Sequence, residues 1–417
     1  MRGAVAGIDL SDLDFWRRPW SEREAAFARL RVEAPISFYS EPPLENTAVE
    51  FPPGPGYYAL VRHRDVATAS RHPEVFTSAP GAVSILDLPA EMVEYFSGMI
   101  STDNPKHARL RRIVANAFNP RNVAAVERDI EERAARIVER AMESGTGDFI
   151  VDIAAPFPLE IICEMMGVPA SEHATVLRAS NVILSMGDPQ IVPEGSDAVV
   201  AFLDAGATLT GIMEELGQYR RQHPIDDITS FLVNAEIESE RLSQQELASF
   251  FVLLVTAGNE TTRTALAHAL VALDAHPEQR QILLEDYETH ARSAVDEIVR
   301  WASPVIWMRR TLASDYTLSD VELKAGDKVL LFYNSANRDE DAFESPELFD
   351  VRRSPNEHFG FGAPGPHFCL GAHLARREIT VMWRELLAHA PRIHATSPPR
   401  QLASSFVNGI TQLAYEF

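Results

Sequence analysis

The sequence predicts a mainly α protein with a small β portion. Between Arg121 and Leu312, apolar residues recur at three- and four-residue spacings, which is the period of amphipathic helices. Short runs of β-like composition lie on either side of this helical part. They are Tyr57–Val61, Tyr316–Leu318, Lys328–Tyr333 and Gln412–Tyr415. Because both ends of the chain contribute strands, we expect one domain over residues 1–417, with an ordered core from about residue 8.

Composition and charge narrow the class of protein. The 417 residues are 46% hydrophobic and 24% charged, which is ordinary for a globular chain. The 38 basic and 60 acidic residues give a net charge of −22, which argues against nucleic acid or an anionic membrane as partner. Two cysteines, Cys163 and Cys369, exclude a disulfide framework and a cysteine-rich zinc site. With no apolar N-terminal run to serve as a membrane anchor, these features predict a cytoplasmic protein.

The longest predicted helix starts at Ser243 and runs to Leu273. Ser243 and Glu246 have the spacing of a capping box. The helix would measure ~45 Å, enough to cross a domain of this size. Near its middle, the run Ala257–Thr262 contains a glycine, a carboxylate and two threonines, which are unfavourable in a helix interior. We therefore expect a local break that a ligand or water can enter, the alternative being a helix with a polar face.

Cys369 lies in the run Phe359–Arg376, where a loop rich in glycine and proline leads into a helix-forming segment. Backbone N–H groups at the start of a helix stabilise a thiolate. A lone thiolate held in this way is typical of the proximal ligand of a haem iron that cleaves O–O bonds. The alternative is a buried structural cysteine, and the surrounding glycines and aromatic residues favour the haem ligand.

Two further groups of charged residues fall at helical spacings. His107 and Arg111 are four residues apart and share a helix face that can hold a carboxylate or propionate. A solvated basic face explains this pair equally well. Glu297 and Arg300 form an i, i+3 pair that matters only if it is buried, and Arg353 can complete a network with them.

Four motifs follow one another along the chain: the run Ala257–Thr262, the Glu297/Arg300 pair, the segment Phe349–Arg353 and the Cys369 loop. In this order they resemble the cytochrome P450 superfamily of the soluble bacterial kind, and the resemblance covers essentially the whole chain. It implies the cytochrome P450 fold, a triangular helix-rich domain with a long central helix over the haem. It also implies heme b (iron protoporphyrin IX) as the cofactor.

The resemblance assigns roles to the cysteine and to the central-helix run. Cys369 matches the axial thiolate of the haem iron. Glu260 and Thr261 match the acid–alcohol pair that delivers protons to dioxygen. In the cysteine loop, Phe361 and Gly365 are separated by three residues rather than the usual two. Some bacterial lipid- and sterol-oxidising branches share this longer spacing.

The resemblance also implies the residues that surround the haem. The cationic groups among them match positions that bind the propionates, since carboxylates inside a protein need such donors. These groups are His107, Arg111, Arg310 and His358. The full set of implied haem contacts is His107, Arg111, Ala257, Gly258, Arg310, His358, Phe361, Gly362, His367, Gly371 and Ala375. The residues that match the folding clamp behind the haem are Glu297, Arg300 and Arg353.

These roles imply a haem-thiolate monooxygenase, an oxidoreductase that acts on paired donors and incorporates one oxygen atom of O2. The chain is too short to include a fused reductase. Electrons are therefore expected from a separate ferredoxin and an NAD(P)H-dependent ferredoxin reductase. We hypothesise that the ferredoxin binds a basic docking patch on the cysteine side of the haem. Its residues are Lys106, Arg109, Arg112, Arg121, Arg376 and Arg377.

Several segments resemble the mycobacterial cytochromes P450 that hydroxylate methyl-branched lipids at a chain end. They are Glu94–Asp103, Asn181–Pro189, Ala248–Thr262 and Ala294–Thr311. The implied substrate is a methyl-branched fatty acid, an isoprenoid or a sterol side chain. The residues expected by position to line its pocket are Phe96, Ile100, Leu253, Thr256, Val305, Phe406 and Val407. The run Ser78–Leu88 is expected to be a flexible substrate-access loop.

Three other functions remain open at this point. One is a tailoring hydroxylase of a polyketide or terpenoid natural product. A second is a peroxide-driven fatty-acid hydroxylase, although such enzymes lack the acid–alcohol pair that Glu260 and Thr261 match. A third is a haem-based sensor without turnover, which the sequence disfavours because no output domain accompanies the motifs.

Overall fold

The computed structural model describes residues 5–42, 54–117, 127–184, 191–192, 197–235 and 241–417. These residues form long helices and short strands, which confirms the predicted fold class. The helices, in chain order, are α1 (Leu13–Trp16), α2 (Trp20–Glu33), α3 (His63–Arg71), α4 (Ala90–Ser97), α5 (Lys106–Ala117), α6 (Glu127–Ser144), α7 (Pro156–Met166), α8 (His173–Leu184), α9 (Ala198–Gln222), α10 (Ile228–Asn234), α11 (Gln244–Ala275), α12 (Pro277–Glu285), α13 (Tyr287–Ala302), α14 (Tyr333–Ala336) and α15 (Ala372–His389).

The strands are short and concentrate near the two ends of the chain. They are β1 (Ile36–Tyr39), β2 (Tyr57–Leu60), β3 (Phe76–Thr77), β4 (Thr146–Asp148), β5 (Trp307–Leu312), β6 (Tyr316–Leu318), β7 (Val321–Leu323), β8 (Lys328–Phe332), β9 (His394–Ala395), β10 (Arg400–Gln401), β11 (Ile410–Gln412) and β12 (Ala414–Glu416). The runs predicted at Tyr57, Tyr316 and Lys328 are strands within one residue of the expected bounds. The run predicted at Gln412–Tyr415 falls on two strands, β11 and β12, that flank Leu413.

The largest sheet has five strands in the order β1-β2-β8-β5-β3. Its β2 and β8 pair in parallel, so strands from both ends of the chain meet in one sheet, as predicted. Alternate side chains of β8 face opposite sides of the sheet. Leu330 and Phe332 join a core with α1 and α2, whereas Val329 and Leu331 join a core with α3.

Helix α11 is the centre of the main helical core. The Ser243 hydroxyl accepts the Glu246 N–H at 3.1 Å, and the Glu246 carboxylate accepts the Ser243 N–H at 2.9 Å, which confirms the capping box. The helix continues without interruption to Ala275, so the predicted break is wrong. The Thr261 hydroxyl instead donates to the Ala257 carbonyl at 2.7 Å, which satisfies the threonine within the helix.

The cysteine loop lies between two cores. Phe361 packs in the main helical core, whereas Phe359 and Ala363 pack in the core between α3 and the large sheet. Alternate residues therefore anchor the loop on both sides and position Cys369 just before α15. Within the described residues, none of the helices has the length and apolar character needed to cross a lipid bilayer.

Candidate active site

The Cys369 loop is a tight turn held by backbone contacts. Gly362 adopts a φ of +90°, a backbone conformation that favours glycine. The Cys369 N–H donates to the Phe361 carbonyl at 2.9 Å. At Gly365, a Cβ would collide with the backbone carbonyl of Ser70 on α3, so glycine is required for this close approach. The loop thus orients the cysteine through its backbone rather than through side-chain pairs.

Cys369 differs from the other cysteine in its exposure and its surroundings. Cys369 is exposed, whereas Cys163 is buried. The protein around Cys369 still desolvates the thiol enough to raise its pKa, against the opposing effects of the Gly371 N–H and the guanidinium groups of Arg111 and Arg376. Where structure is described, no group of three or more His, Cys, Asp or Glu side chains could hold a metal. Cys369 would therefore be a lone protein ligand.

One face of α11 is accessible although most of this helix is buried. Steps of four residues along this face connect Leu253, Ala257 and Thr261, which are all partly or fully exposed. Their neighbours Asn259 and Glu260 are about 1% exposed. Side chains on the accessible face can meet a bound molecule without leaving the helix. At Gly258, by contrast, a Cβ would contact Ile162 of α7, so this glycine allows the two helices to approach.

The predicted acid of the proton pathway, Glu260, lies in a buried ion pair. Its Oε2 accepts a hydrogen bond from Arg263, and its Oε1 accepts the Thr264 hydroxyl at 3.3 Å. Arg263 also donates to the Asn181 side-chain oxygen at 3.0 Å, which connects α11 to α8. Burial lowers the pKa of Arg263 to about 10, so the guanidinium remains charged at neutral pH. The Glu260 carboxylate therefore has a partner that is positively charged at neutral pH.

Four of the predicted propionate and haem ligands form one basic cluster. The rings of His107 and His367 are 4.1 Å apart, and Arg111 donates to the Phe368 carbonyl at 2.7 Å. Burial, then Arg310, His107 and Arg111, lower the pKa of His367 to about 2. Burial and Arg111 also lower the pKa of His107. Both histidines are therefore neutral at physiological pH, beside two arginines.

This cluster fits an anionic ligand. His107 Nε2 is buried and has no hydrogen-bond partner among the described residues. Arg310 is about 5% exposed, and its assigned hydrogen bond goes to the neighbouring Arg309 carbonyl at 2.7 Å. Buried cations and donors without a carboxylate partner are unfavourable unless a ligand supplies the negative charge. The two propionates of a haem supply that charge, so the residues present fit the cofactor.

The remaining predicted haem contacts lie in or near the cysteine loop and at the start of α15. The Arg376 guanidinium lies 4.2 Å from the centre of the Phe361 ring, and the His358 ring lies 5.8 Å from it. His358 Nε2 lies 3.5 Å from Asp296, and its Nδ1 accepts the Gly360 N–H at 3.1 Å. The described contacts therefore do not join His358 to the basic cluster. Gly371 and Ala375, at the start of α15, are half-buried.

The predicted folding clamp is a buried network. Arg300 donates to both Glu297 oxygens at 2.7 Å, and both side chains are 0% exposed. Arg353 Nε lies 3.1 Å from Glu297 Oε2. Arg300 also donates to the carbonyls of Asn337 and Pro346 at 2.9 and 3.0 Å. These bonds fix the chain that leads into the cysteine loop.

The predicted substrate residues fall into two groups. Val305 forms a β-bridge with Val407, and Phe406 packs on Trp307 at 4.9 Å between ring centres. In the other group, Phe96 packs on Phe202 of α9 at 4.1 Å.

The second group also includes Ile100, Leu253 and Thr256. Ile100 lies in the 3₁₀ turn Gly98–Ser101, and Leu253 and Thr256 lie on α11. The Thr256 hydroxyl donates to the Val252 carbonyl at 2.7 Å, so its methyl group remains for apolar contacts. Among the described residues, no hydrogen bond, ring contact or β-bridge joins the two groups, and their common pocket stays a prediction.

The expected access loop Ser78–Leu88 is held in place by hydrogen bonds and ion pairs. Arg309 donates to the Ser84 carbonyl and to Asp87, at 3.2 and 2.7 Å. Lys328 lies 2.8 Å from Asp87 and also donates to the Ile85 carbonyl. The prediction of flexibility did not anticipate these buried cations, which lie more than 200 positions away in sequence. The access role stays a prediction.

Several cations of the predicted docking patch form ion pairs with acidic side chains. Arg109 pairs with Glu246, Arg376 with Asp296, and Arg377 with Glu127 and Glu131. Lys106 and Arg112 are exposed on α5. Arg121 lies outside the described residues. The most exposed cations of the predicted docking patch therefore lie on α5.

The sequence reasoning missed Glu378. This residue of α15 is about 2% exposed, and its Oε2 accepts the Thr262 hydroxyl at 3.1 Å. Its Oε1 has no partner among the described residues. Burial raises the pKa of Glu378 to about 8, so the side chain is mostly protonated at neutral pH. The sequence signal that could have found it is the i, i+3 spacing from Ala375, a predicted haem contact.

Comparisons with known proteins all point to one family. A family model described as Cytochrome P450 matches residues 207–402. A methyl-branched lipid omega-hydroxylase of Mycobacterium tuberculosis is 47% identical over 412 residues, covering 98% of this chain and 94% of that protein. A steroid C26-monooxygenase of Rhodococcus jostii is 36% identical over 417 residues, covering 99% of this chain and 85% of that protein.

Solved structures give the same result. A Mycobacterium marinum cytochrome P450 in complex with pseudoionone has a TM-score of 0.93 and 39% identity, with 99% of each chain covered. The cytochrome P450 of the Bacillus subtilis bacillaene polyketide synthase has a TM-score of 0.84 and 28% identity, with 98% of this chain and 99% of that chain covered.

Proposed function

Because the chain belongs to the cytochrome P450 family, we propose that it hydroxylates a methyl-branched fatty acid, an isoprenoid or a sterol side chain at or near the chain end. The enzyme is a cytochrome P450 monooxygenase, and its cofactor is haem b. The observation that carries the substrate proposal is the 47% identity to a methyl-branched lipid omega-hydroxylase over 98% of the chain. The steroid C26-monooxygenase at 36% identity supports an apolar substrate of related shape.

In this proposal, Cys369 holds the haem iron, and the basic cluster binds the propionates. Arg111, Arg310 and neutral His107 would donate hydrogen bonds to the two carboxylates. When bound, the haem supplies the activation of dioxygen that C–H hydroxylation requires. The Glu297/Arg300 network keeps the loop rigid from behind, which preserves the geometry of the thiolate.

We assign proton delivery to Glu260 and Thr261. Thr261 lies on the accessible face of α11, so its hydroxyl can turn from the Ala257 carbonyl towards a bound molecule. Glu260 Oε2 has to leave Arg263 before it can take a proton from water and pass it towards Thr261. The apolar residues of the predicted pocket would exclude bulk water and hold the substrate by burial of its hydrocarbon surface.

The proposal includes the partners and the location. Electrons would come from a ferredoxin and its NAD(P)H-dependent reductase, with Lys106 and Arg112 as the exposed cations of the docking surface. The two non-disulfide cysteines fit a reducing cytoplasm. We also propose that residues 1–417 fold as one haem domain.

The test uses the purified holoenzyme. Methyl-branched fatty acids are titrated against the haem absorption spectrum, and a turnover with ferredoxin, reductase and NADPH is followed by product mass spectrometry. We expect a substrate-induced spectral shift and a product hydroxylated at or near the chain end. Oxidation in mid-chain, or no shift with any branched lipid, would contradict the proposal.

The alternative is a tailoring hydroxylase of a polyketide or terpenoid. The observation that favours it is the TM-score of 0.84 with a cytochrome P450 of a polyketide synthase. The lower identity of 28% makes it the second candidate. In the same titration, a shift with macrolides and none with branched lipids would select this alternative.

A further inference from the structure

The expected access loop Ser78–Leu88 has two parts that are attached to the protein in different ways. In the first part, backbone N–H groups of the loop donate to the Asp103 carboxylate at 2.9 Å and to the Ser101 hydroxyl at 3.0 Å. The Ala82 carbonyl also accepts the Arg309 N–H at 2.9 Å. The backbone of this first part is therefore fixed directly to its neighbours.

The second part, Val83–Asp87, is attached by side chains of the large sheet, and we call it the tethered segment. Within the described ranges, no backbone–backbone hydrogen bond joins it to the rest of the chain. Instead, the Arg309 guanidinium of β5 donates to the carbonyls of residues 84–86 at 3.2–3.3 Å and to Asp87 at 2.7 Å. Lys328 of β8 lies 2.8 Å from Asp87 and donates to a carbonyl of the segment at 3.2 Å. Two cationic side chains thus make its polar attachment.

The charges of this attachment are balanced only while Asp87 is in place. The side chains of Arg309 and Lys328 are both about 2% exposed, and Lys328 also pairs with the buried Glu41. Asp87 is 52% exposed. Burial opposes its charge, but hydrogen bonds from Lys328 and Arg309 keep the pKa of Asp87 below the ordinary value. If Asp87 left, two buried cations would share one carboxylate, which is unfavourable.

The tethered segment borders predicted substrate residues. Ile85 belongs to the same apolar cluster as Phe406 and Val407. Val83 and Val305 both pack against this cluster, and each remains partly accessible. Movement of the segment away from the sheet would therefore uncover this side of the predicted pocket.

We propose that the ion cluster of Glu41, Asp87, Arg309 and Lys328 is a latch that controls passage of ligands into and out of the haem pocket. The inference rests on the proposed function for the position of the pocket, which includes Phe406 and Val407. Release of Asp87 from its two cations frees the tethered segment, and the pocket opens. A latch of this kind acts on entry and exit alike, so it sets both rates and leaves the affinity nearly unchanged.

The first experiment measures how fast a haem ligand enters and leaves the holoenzyme. The probe is 4-phenylimidazole, whose imidazole nitrogen binds haem iron whatever the natural substrate is. In Asp87→Asn, we expect the association and dissociation rate constants both to rise about fivefold to tenfold, as for the loss of partly exposed charge-assisted hydrogen bonds. The dissociation constant should stay within about twofold. Stopped-flow absorbance of the haem measures both rates.

The matched control is Asp315→Asn. Asp315 is another exposed aspartate, and it pairs with Lys324. Because this pair lies outside the access loop and its ion cluster, its loss should change neither rate constant. This control separates the latch from a general effect of removing one negative charge.

A second readout needs no ligand. Limited proteolysis by thermolysin, followed by mass spectrometry, reports local opening of the tethered segment. Cleavage within residues 83–88 should be about fivefold to tenfold faster in Asp87→Asn than in the wild type. Cleavage within α15 should not change, which distinguishes local opening from global unfolding.

Two results would overturn the latch. One is a weaker affinity of Asp87→Asn for the probe with an unchanged association rate, which would make Asp87 a residue that shapes the pocket. The other is no change in either rate. The proposed function is tested separately, because the probe binds without a lipid. Faster exchange of the probe in the variant, together with no spectral shift by any branched lipid in the wild type, would reject the substrate and keep the latch.

Discussion

Arg300 and Arg310 are both buried arginines, but their surroundings differ. Arg300 binds both oxygens of Glu297 and several backbone carbonyls, so its guanidinium is satisfied within the protein. Among the described residues, Arg310 donates one hydrogen bond, to the carbonyl of the preceding residue, and it lies near His107, whose Nε2 has no partner there. Burial lowers the pKa of Arg310, which reflects the cost of its charge. We propose that the paired cation, Arg300, stabilises the fold, and that Arg310, which has no ion pair among the described residues, is kept for a ligand.

The largest expected effect comes from breaking the ion pair between Glu297 and Arg300. Glu297→Gln keeps the shape of the side chain but leaves Arg300 without a counter-charge at 0% exposure. We expect a loss of about 3–5 kcal/mol in the free energy of unfolding, because breaking a buried ion pair leaves an uncompensated charge. Urea denaturation of the wild-type and variant holoproteins measures it.

The control is an exposed pair of the same kind. Asp14→Asn removes the partner of Arg17, and both side chains are at least half exposed. The free energy of unfolding should change by less than about 1 kcal/mol. If Glu297→Gln cost no more than this control, the network would not be a structural clamp.

The next effect concerns a second buried glutamate with fewer partners. Among the described residues, Glu378 accepts a hydrogen bond from the Thr262 hydroxyl, and burial raises its pKa to about 8 from an ordinary 4.5. Between these values the folded protein binds a proton that the unfolded chain has released, so stability is lost as pH rises. Relative to Glu378→Gln, the wild-type free energy of unfolding should fall by up to about 3 kcal/mol between pH 6 and pH 8.

The measurement is denaturation of both proteins at pH 6, 7 and 8. A constant difference between wild type and Glu378→Gln across this range would mean that the carboxyl is ionised throughout. That result would place a cation or ordered donors beside its unpartnered oxygen.

The smallest expected effect concerns Arg310, the buried arginine without an ion pair among the described residues. Arg310→Gln should weaken haem retention by about 2 kcal/mol, or roughly 30-fold, the usual contribution of a hydrogen bond to a charged group. Haem transfer to apomyoglobin measures this loss. The unfolding temperature of the apoprotein should stay the same or rise, because the variant removes a buried charge that has no ion pair among the described residues. If Arg310→Gln instead destabilised the protein as much as Glu297→Gln does, the two arginines would not differ in role.

The features predicted best are those encoded by neighbouring residues. The capping box at Ser243 and Glu246 joins residues three apart, and its hydrogen bonds are where the spacing indicates. The Glu297/Arg300 pair is also local, and the fold adds its burial. Strand positions were close because β-like runs are short and bounded by turn residues.

The features missed depend on distant partners. Thr262 and Glu378 are 116 residues apart, and no pattern in either segment indicates that they touch. The expected break in α11 was wrong for a related reason. A threonine hydroxyl can bond to its own helix or leave it, and the surrounding packing decides which.

The sequence by itself determined the fold class, the lone cysteine at the start of a helix and the order of the motifs. These follow from periodicity, capping and glycine placement, which act over a few residues. Only the tertiary structure decided which buried charges have partners. Arg300 and Arg310 are the same residue type on adjacent elements, and their difference comes from what the rest of the chain brings beside them. Desolvation depends on those neighbours, so the distinction between clamp and ligand site appears only in the folded protein.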